Sequence, residues 1–173
     1  MAIVLDGTAG ITSPVLTGAL TGSTGLPKAA LPTGSVLQVV QGTNGNGVGM
    51  TTSTFVTLNL SASITPISAT SKIYIIVALD GVGRDTGNTS FAGRILRDAT
   101  QLRQFGVYST YTGTTQATYA STVSCTYLDS PSTTSAITYS VQGKSVSNVG
   151  NVYINTDGGS VHQSTITLME VAA

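Results

Sequence analysis

Two short segments in the second half of the chain show the clearest alternation of apolar and polar residues. Residues 123–127 read VSCTY and residues 137–142 read ITYSVQ, so that every second side chain in each is apolar. Because successive side chains of a strand point to opposite faces, this period of two predicts two strands with one apolar face each. The segment LDSPSTTSA between them has the composition of a turn. We therefore predict an antiparallel hairpin whose inward faces carry Tyr127 and Tyr139.

Two other segments are apolar on both faces of the predicted strand. Residues 73–79 read IYIIVAL, and residues 166–171 read ITLMEV. A strand of a two-layer sandwich normally exposes one face to water, so a second apolar face needs cover from another subunit. We therefore predict an oligomer whose subunit interface includes Ile73, Ile75, Val77, Ile166, Leu168, Met169 and Val171.

Further short strands are predicted along the chain. Residues 91–97 and 101–107 form a second predicted hairpin around the turn sequence DAT, and strands are also predicted at residues 36–40, 55–60 and 151–155. The chain is rich in Thr, Gly and β-branched residues, which favour strands over helices. We predict an all-β fold with almost no helix, built as an antiparallel sandwich or jelly roll.

The second hairpin carries Arg94, Arg97 and Arg103. In one interpretation these arginines pair locally with aspartates on a solvated or subunit-edge hairpin. In the other, they contact carboxylates of a neighbouring subunit.

The first part of the chain differs from the rest. Glycine and proline interrupt residues 6–34, so this segment cannot bury a core of its own. We predict an extended N-terminal arm at residues 1–34 and a compact head domain at residues 35–173. A partner chain, either a second copy or another component of an assembly, is expected to hold the arm in place.

Charge is scarce in this sequence. Only 8% of the residues are charged, against about a quarter in typical soluble proteins, and seven basic residues balance seven acidic ones. Nucleic-acid binding needs clustered Lys and Arg, so we expect no nucleic-acid partner. No segment is long and apolar enough to span a membrane, and the N-terminus lacks the features of a signal peptide. We expect a protein made in a cytoplasm that works in soluble or assembled form, without membrane insertion.

Residues that bind metals or form disulfides are nearly absent. Cys125 is the only cysteine, and at an inward position with no basic residue near it in sequence it is expected to be a small buried apolar residue. His162 is the only histidine and has no Cys or His at ligand spacing. We predict no internal disulfide, no metal and no cofactor.

Catalytic groups also lack a supporting pattern. A triad of Asp157, His162 and a serine would need a nucleophile motif such as Gly-x-Ser-x-Gly, which the sequence does not contain. Glycan cleavage needs two carboxylates, but Asp80, Asp85 and Asp129 all lie in predicted turns, where aspartate is common for structural reasons. We predict that the protein is not an enzyme.

Binding is the remaining class of function. Tyr108 and Tyr111 lie in a loop expected at one end of the sandwich, where they could stack on sugar rings while Arg84 or Asp85 forms hydrogen bonds to them. Alternatively, the two tyrosines pack over the base of their loop or line a subunit contact.

Several phrases along the chain resemble short tail-fibre and virion structural proteins of tailed bacteriophages. They are MAIVLDGTAGI, LPTGSVLQVVQ, SKIYIIV, FAGRILRDATQL, YLDSP followed by TYSVQ, and STITLMEVAA. The resemblance covers nearly the whole chain, although those proteins commonly have RDGT where this chain has RDAT. It implies a homotrimeric head similar to the jelly rolls of C1q and tumour necrosis factor. It also implies an arm that anchors the head to the particle, with candidate anchor residues Ile3, Val4, Leu5 and Ile11.

The resemblance leaves three functions open. In the first, the protein is a trimeric tail fibre whose arm docks on another protein of the virion tail and whose head binds a glycan or protein receptor on the host surface. In the second, the same trimer decorates the capsid. In the third, the protein is a carbohydrate-binding module. We expect it in the virion, on the tail rather than on the capsid.

Overall fold

The computed structural model describes residues 31–113, 118–155 and 162–173. Within these residues the chain forms ten β-strands and no helix, so the predicted all-β fold is confirmed. All strand pairs are antiparallel. The strands are β1 (Val36–Asn44), β2 (Val48–Met50), β3 (Val56–Ile64), β4 (Lys72–Arg84), β5 (Phe91–Arg97), β6 (Thr100–Ser109), β7 (Thr118–Asp129), β8 (Ile137–Ser145), β9 (Val152–Ile154) and β10 (Ser164–Val171).

The strands form two sheets. In sheet A, the interrupted strand β1–β2 lies beside the interrupted strand β10–β9, followed by β4 and then by β7 at the edge. The interruption is shared, because Asn44 pairs with Ser164 before it and Val48 pairs with Ile154 after it. In sheet B the order is β3, β8, β5, β6.

The path of the chain between the sheets identifies the type of sandwich. If each interrupted strand is counted once, the described residues form eight strands in two sheets of four. Every connection crosses from one sheet to the other except the turn between β5 and β6. Two four-stranded antiparallel sheets connected in this way form a jelly roll. The predicted jelly-roll-like sandwich is therefore confirmed.

The predicted hairpin between residues 123 and 142 is wrong. Strand β7 pairs with β4 in sheet A, whereas β8 pairs with β3 and β5 in sheet B. The alternation shows which side chains are buried, but it does not show which strands are neighbours. Residues 130–136 are long enough to cross from one sheet to the other, because the sheets of a sandwich lie about 10 Å apart. The predicted inward faces are nevertheless observed, since Tyr139 is 0% exposed and Tyr127 packs against the core.

The core lies between the sheets and takes one row of side chains from each strand. Seven residues were predicted in a subunit interface, but the structure encloses five of them in the core of a single chain, at 0% exposure: Ile73, Ile75, Val77, Ile166 and Leu168. Their assignment to an interface is therefore wrong, because their side chains cannot reach another subunit. Met169 and Val171 alternate with the buried row of β10 and are only partly buried. They lie on the outer face of sheet A.

The second predicted hairpin is present as β5 and β6, with Arg97 paired to Thr100 across the turn. Arg97 forms an ion pair of 2.8 Å with Asp129, the last residue of β7. The same carboxylate accepts a hydrogen bond of 2.7 Å from the Tyr139 hydroxyl. For Arg97, the local-pairing interpretation is therefore correct. Because Asp129 belongs to sheet A and its two partners to sheet B, this cluster also joins the sheets.

The two ends of the sandwich differ. At one end, the arm end, residues 31–35 lead into β1, and the Gly34 N–H donates a hydrogen bond of 2.8 Å to the Ala172 carbonyl oxygen. Three connections lie at this end: β3–β4, β5–β6 and β7–β8. We call the opposite end the loop end, and it contains the connections β2–β3, β4–β5, β6–β7 and β8–β9. The predicted anchor residues lie outside the described residues: Ile3, Val4, Leu5 and Ile11.

Candidate functional site

Arg84 ends β4 at the loop end and is completely buried. Its guanidinium donates hydrogen bonds to the carbonyl oxygens of Thr110 and Thr86 and to the hydroxyl of Thr112. A buried charge needs hydrogen-bond partners, and the planar arginine side chain presents several donors in a fixed arrangement. Arg84 was predicted to contact a receptor, but its burial rules this out. It instead holds the β4–β5 and β6–β7 loops together.

Tyr108, near the end of β6, and Tyr111, at the start of the β6–β7 loop, form an exposed aromatic pair. The Tyr111 N–H donates a hydrogen bond of 3.2 Å to the Tyr108 carbonyl oxygen, which closes a tight turn. The rings meet edge to face, with centroids 6.2 Å apart and planes at 85°. Tyr108 is 67% exposed and Tyr111 is 49% exposed. The rings therefore do not pack over the base of the loop, and they are available to a ligand or to another subunit.

The turn that presents the tyrosines has an unusual backbone. Tyr108 and Thr110 have φ values of +68° and +67°, in the left-handed region. This region is unfavourable for a β-branched residue such as Thr110, and such conformations persist only where the surroundings fix them. The hydrogen bond from Arg84 to the Thr110 carbonyl oxygen provides such a restraint. The buried arginine therefore supports the geometry of the exposed pair.

Asp85 follows Arg84 and is exposed, as its predicted binding role requires. One oxygen of its carboxylate accepts a hydrogen bond of 2.7 Å from the Asn151 N–H, and the Asp85 N–H donates one of 3.1 Å to the Asn151 carbonyl oxygen. Gly150 has a φ of +66°, and a Cβ there would lie 1.8 Å from the hydroxyl oxygen of Thr86. The β8–β9 loop is thus fixed against the β4–β5 loop, with no room for a side chain at Gly150.

The β2–β3 loop joins the same assembly. The Ser53 N–H donates a hydrogen bond of 3.2 Å to the Asn148 side-chain oxygen, and the Ser145 N–H donates one of 3.1 Å to the Thr52 carbonyl oxygen. Sequence reasoning did not identify Asn148 or Asn151 as part of this site. Their only signal was the turn-forming composition of NVGN, which predicts a turn but not its neighbours.

The loop end has the chemistry of a binding surface. It offers two aromatic rings with hydroxyl groups, several threonines and one exposed carboxylate, a set suited to stacking on and hydrogen bonding to sugars. Among the described residues, no group of three or more His, Cys, Asp or Glu could hold a metal ion. The same residues contain no helix that could span a membrane.

His162 pairs with an aspartate from a neighbouring strand. Its Nδ1 lies 2.9 Å from an Oδ atom of Asp80, at the shared interruption of sheet A. The hydrogen bond to His162 holds the pKa of Asp80 below its ordinary value, and the N–H of Gly81 adds to this effect. The ring also packs on Gly81, where a Cβ would lie 2.9 Å from it. The possible triad partner Asp157 lies outside the described residues.

Cys125 is buried on the inward face of β7. Burial raises the pKa of its thiol, although the guanidinium of Arg103 on β6 acts in the opposite direction. No basic residue was expected near Cys125, because Arg103 is distant in sequence and approaches only through the packing of the two edge strands. The raised pKa favours the neutral thiol and agrees with the predicted structural role.

Comparisons with protein families and with curated sequences found no relative. No protein-family model matches the chain, and no curated protein matches its sequence. The bacteriophage resemblance therefore stays a prediction, and the fold and the loop-end geometry are the basis for assigning a function.

Proposed function

We propose that the chain is a virion structural protein of a tailed bacteriophage, a trimeric tail fibre. Its arm attaches to another protein of the tail, and its head binds a receptor on the host surface. The observation that carries this proposal is that the chain enters the head at one end and the exposed tyrosine pair lies at the other. The chain reaches the head at the arm end, and the exposed pair of Tyr108 and Tyr111 lies at the loop end. A fibre head needs this polarity, because attachment and recognition must occur on opposite sides.

The outer face of sheet A supports assembly into an oligomer. Strand register aligns one row across all four strands of this sheet, from Val39 through Met169 and Tyr74 to Leu128. Val39 is 55% exposed and Leu128 is 50% exposed. A continuous apolar row on an exposed face is typical of a protein interface. A closed trimer would cover this face, and three-fold symmetry is what the bacteriophage resemblance implies.

The location of the protein is tested on intact particles of the phage that encodes it. Gold-labelled antibodies raised against the head domain are expected to label the tail. Labelling of the capsid would favour the decoration role instead, and a protein absent from particles would leave only the carbohydrate-binding role. In particles that encode Ile3→Asp together with Leu5→Asp, the protein is expected to be lost from the virion.

Receptor binding is tested by competition. Purified full-length protein, added to host cells, is expected to bind saturably and to reduce phage adsorption. The double variant Tyr108→Ala/Tyr111→Ala removes the exposed rings and is expected to lose most of this competition. The matched control is Ile67→Ala, which removes an exposed apolar side chain at the arm end. Equal competition by the double variant and the control would contradict the proposed site.

A further inference from the structure

Two positive charges share one aromatic ring on sheet B, near the loop end. Phe55 directly precedes β3, and its ring centroid lies 4.3 Å from the Cζ atom of Arg94 on β5. The Nζ atom of Lys144 on β8 lies 4.8 Å from the same centroid. Cations are attracted to aromatic faces at these distances. We call Phe55, Arg94 and Lys144 the Phe55 cluster.

The guanidinium of Arg94 is held in a fixed position. Its Nε and one Nη donate hydrogen bonds of 2.8 and 2.5 Å to the side-chain oxygen of Gln142. Its other Nη donates one of 3.1 Å to the side-chain oxygen of Gln101. Both acceptors are neutral amides, so they orient the guanidinium without neutralising its charge. Two of its five N–H groups are left for a further acceptor.

Neither cation of the Phe55 cluster forms an ion pair with a carboxylate of the described residues. The described ion pairs are those of Arg97 with Asp129 and of His162 with Asp80. Like charges held near one ring repel each other, and an anion placed between them would remove this repulsion. The cluster is therefore prepared for an anionic group that the chain itself does not supply.

Among the described residues, the two rows of sheet B beside the cluster are mostly polar and contain no carboxylate. One row across sheet B pairs Thr57, Gln142, Arg94 and Gln104, and a second row pairs Ser61, Ser140, Leu96 and Gln101. Side-chain hydroxyls and amides can donate and accept hydrogen bonds, as sugar hydroxyls do. These rows contrast with the apolar row on the outer face of sheet A, from Val39 to Leu128.

We infer that the outer face of sheet B binds an acidic polysaccharide. An oxyanion of the polymer lies between Arg94 and Lys144, and neighbouring sugar hydroxyls contact the amide and hydroxyl rows. A nucleic acid fits less well, because strong phosphate binding requires many clustered cations and this face offers two. This site is separate from the tyrosine pair at the loop end and does not depend on the role proposed for it.

The test measures binding of immobilised full-length protein to three soluble polymers. They are polygalacturonate, which carries carboxylates, dextran sulfate, which carries sulfates, and neutral dextran. The protein is expected to bind one or both acidic polymers, more weakly at high salt, and not to bind dextran. The polymer that binds more tightly identifies the oxyanion. Binding to neither acidic polymer, or equal binding to dextran, would overturn the inference.

Charge-matched variants locate the site. Arg94→Gln and Lys144→Gln together are expected to weaken binding by about tenfold, which corresponds to about 1.4 kcal/mol. Lys72→Gln and Arg103→Gln together remove the same charge elsewhere and are expected to change binding by less than about twofold. Lys144→Gln alone serves as the milder test if Arg94→Gln lowers stability. Equal losses in the two double variants would show only a general charge effect and would overturn the proposed site.

Discussion

The buried guanidinium of Arg84 donates a hydrogen bond to the main-chain carbonyl oxygen of Thr110, within the turn that the exposed pair Tyr108 and Tyr111 closes. This contact connects the end of a core strand to the most exposed aromatic residues of the described chain. Arg84 also binds Thr86 and Thr112, so one side chain fixes two loops. The shape of the candidate binding surface therefore depends on a residue that no receptor could touch.

The variant Arg84→Lys is expected to destabilise the head. Lysine keeps the positive charge, but its single ammonium cannot reach three acceptors arranged for a planar guanidinium. A buried acceptor left without a donor costs about 1–3 kcal/mol. Because these three acceptors are only part-buried, the free energy of unfolding should fall by about 3 kcal/mol in total. For a chain of this size, that corresponds to a melting temperature lower by roughly 6–12 °C.

Thermal unfolding followed by near-ultraviolet circular dichroism checks this prediction, because the chain has seven tyrosines and no tryptophan. Lys72→Arg is the matched control, since Lys72 is exposed at the start of β4. It is expected to melt like the wild type. A melting temperature of Arg84→Lys within about 2 °C of the control would show that the buried arginine does not hold the loops.

The phenol of Tyr139 makes the head less stable as the pH rises into the alkaline range. Burial, and then the hydrogen bond to Asp129, raise the pKa of Tyr139 far above its ordinary value of 10.0. Above pH 10 the unfolded chain can therefore lose this proton while the folded chain keeps it. This stabilises the unfolded state, so the free energy of unfolding should fall by about 1.4 kcal/mol per pH unit through this group.

The variant Tyr139→Phe removes this titration. At neutral pH its free energy of unfolding is expected to be lower by about 1–2 kcal/mol, because Asp129 loses a buried donor. Above pH 10 its free energy of unfolding is expected to fall less steeply than that of the wild type. Denaturant unfolding between pH 8 and pH 11.5 measures both effects. Tyr74→Phe, on the outer face of sheet A, is the control and should decline as steeply as the wild type. An equally steep decline in Tyr139→Phe would assign the alkaline loss to other groups.

How far the sequence predicted the fold depends on the range of each interaction. Alternation is local, so it correctly predicted that Tyr139 and Cys125 face inward. Pairing is not local, and the same alternation wrongly placed β7 and β8 side by side. When both faces of a strand are apolar, the sequence does not show which face is turned to the core. For this reason Ile75 was assigned to an interface and Tyr74 was not.

The candidate site shows the same division. Tyr108 and Tyr111 were named as candidate binding residues from their loop composition, with packing over the loop base as the alternative, and both rings are exposed. Arg84 was predicted, as an alternative to Asp85, to form hydrogen bonds to a sugar bound at the tyrosines. Its burial depends on acceptors 26 and 28 residues further along the chain, which no local pattern reveals. The Phe55 cluster was missed because its members lie on or directly before three strands that become neighbours only in the folded sheet.

Glu170 makes the arm end sensitive to acid. Burial alone raises the pKa of this carboxyl, but hydrogen bonds donated mainly by the Gln38 amide, together with the N–H of Ile67, hold it below its ordinary value of 4.5. The Gln38 bond measures 2.5 Å and the Ile67 bond 2.8 Å. The unfolded chain therefore binds a proton more readily, and stability should be lost as the pH falls below about 4.5.

The variant Glu170→Gln tests this assignment. At neutral pH it is expected to be less stable by about 1–3 kcal/mol, because its amide group cannot accept hydrogen bonds on both sides. Below pH 4.5 the wild type alone loses the contribution of this carboxylate, so the difference should shrink. Urea unfolding at pH 7, 5, 4 and 3 follows the difference. A constant difference across this range would show that Glu170 is not the acid-sensitive group.

The apolar row on the outer face of sheet A leads to a prediction about assembly. Leu128 and Tyr74 are exposed at 50% and 36% and lie next to each other on β7 and β4. Burying such a row against other copies stabilises an oligomer by roughly 25 cal/mol per Å² of apolar surface. A charged side chain at the centre of the row would lose its water without gaining a partner, which disfavours association. The wild type is expected at three times the chain mass of 17.5 kDa, and Leu128→Glu at the mass of one chain.

Light scattering on size-separated protein measures both masses. Ser61→Glu is the control, because it adds the same charge to an exposed position on the outer face of sheet B and should leave the measured mass of the wild type unchanged. Tyr74→Glu provides a second substitution in the same row, so that a folding defect in one variant does not decide the outcome. If the wild type has the mass of a single chain at micromolar concentration, the outer face of sheet A is not a self-association surface. The trimeric arrangement of the proposed fibre would then be wrong.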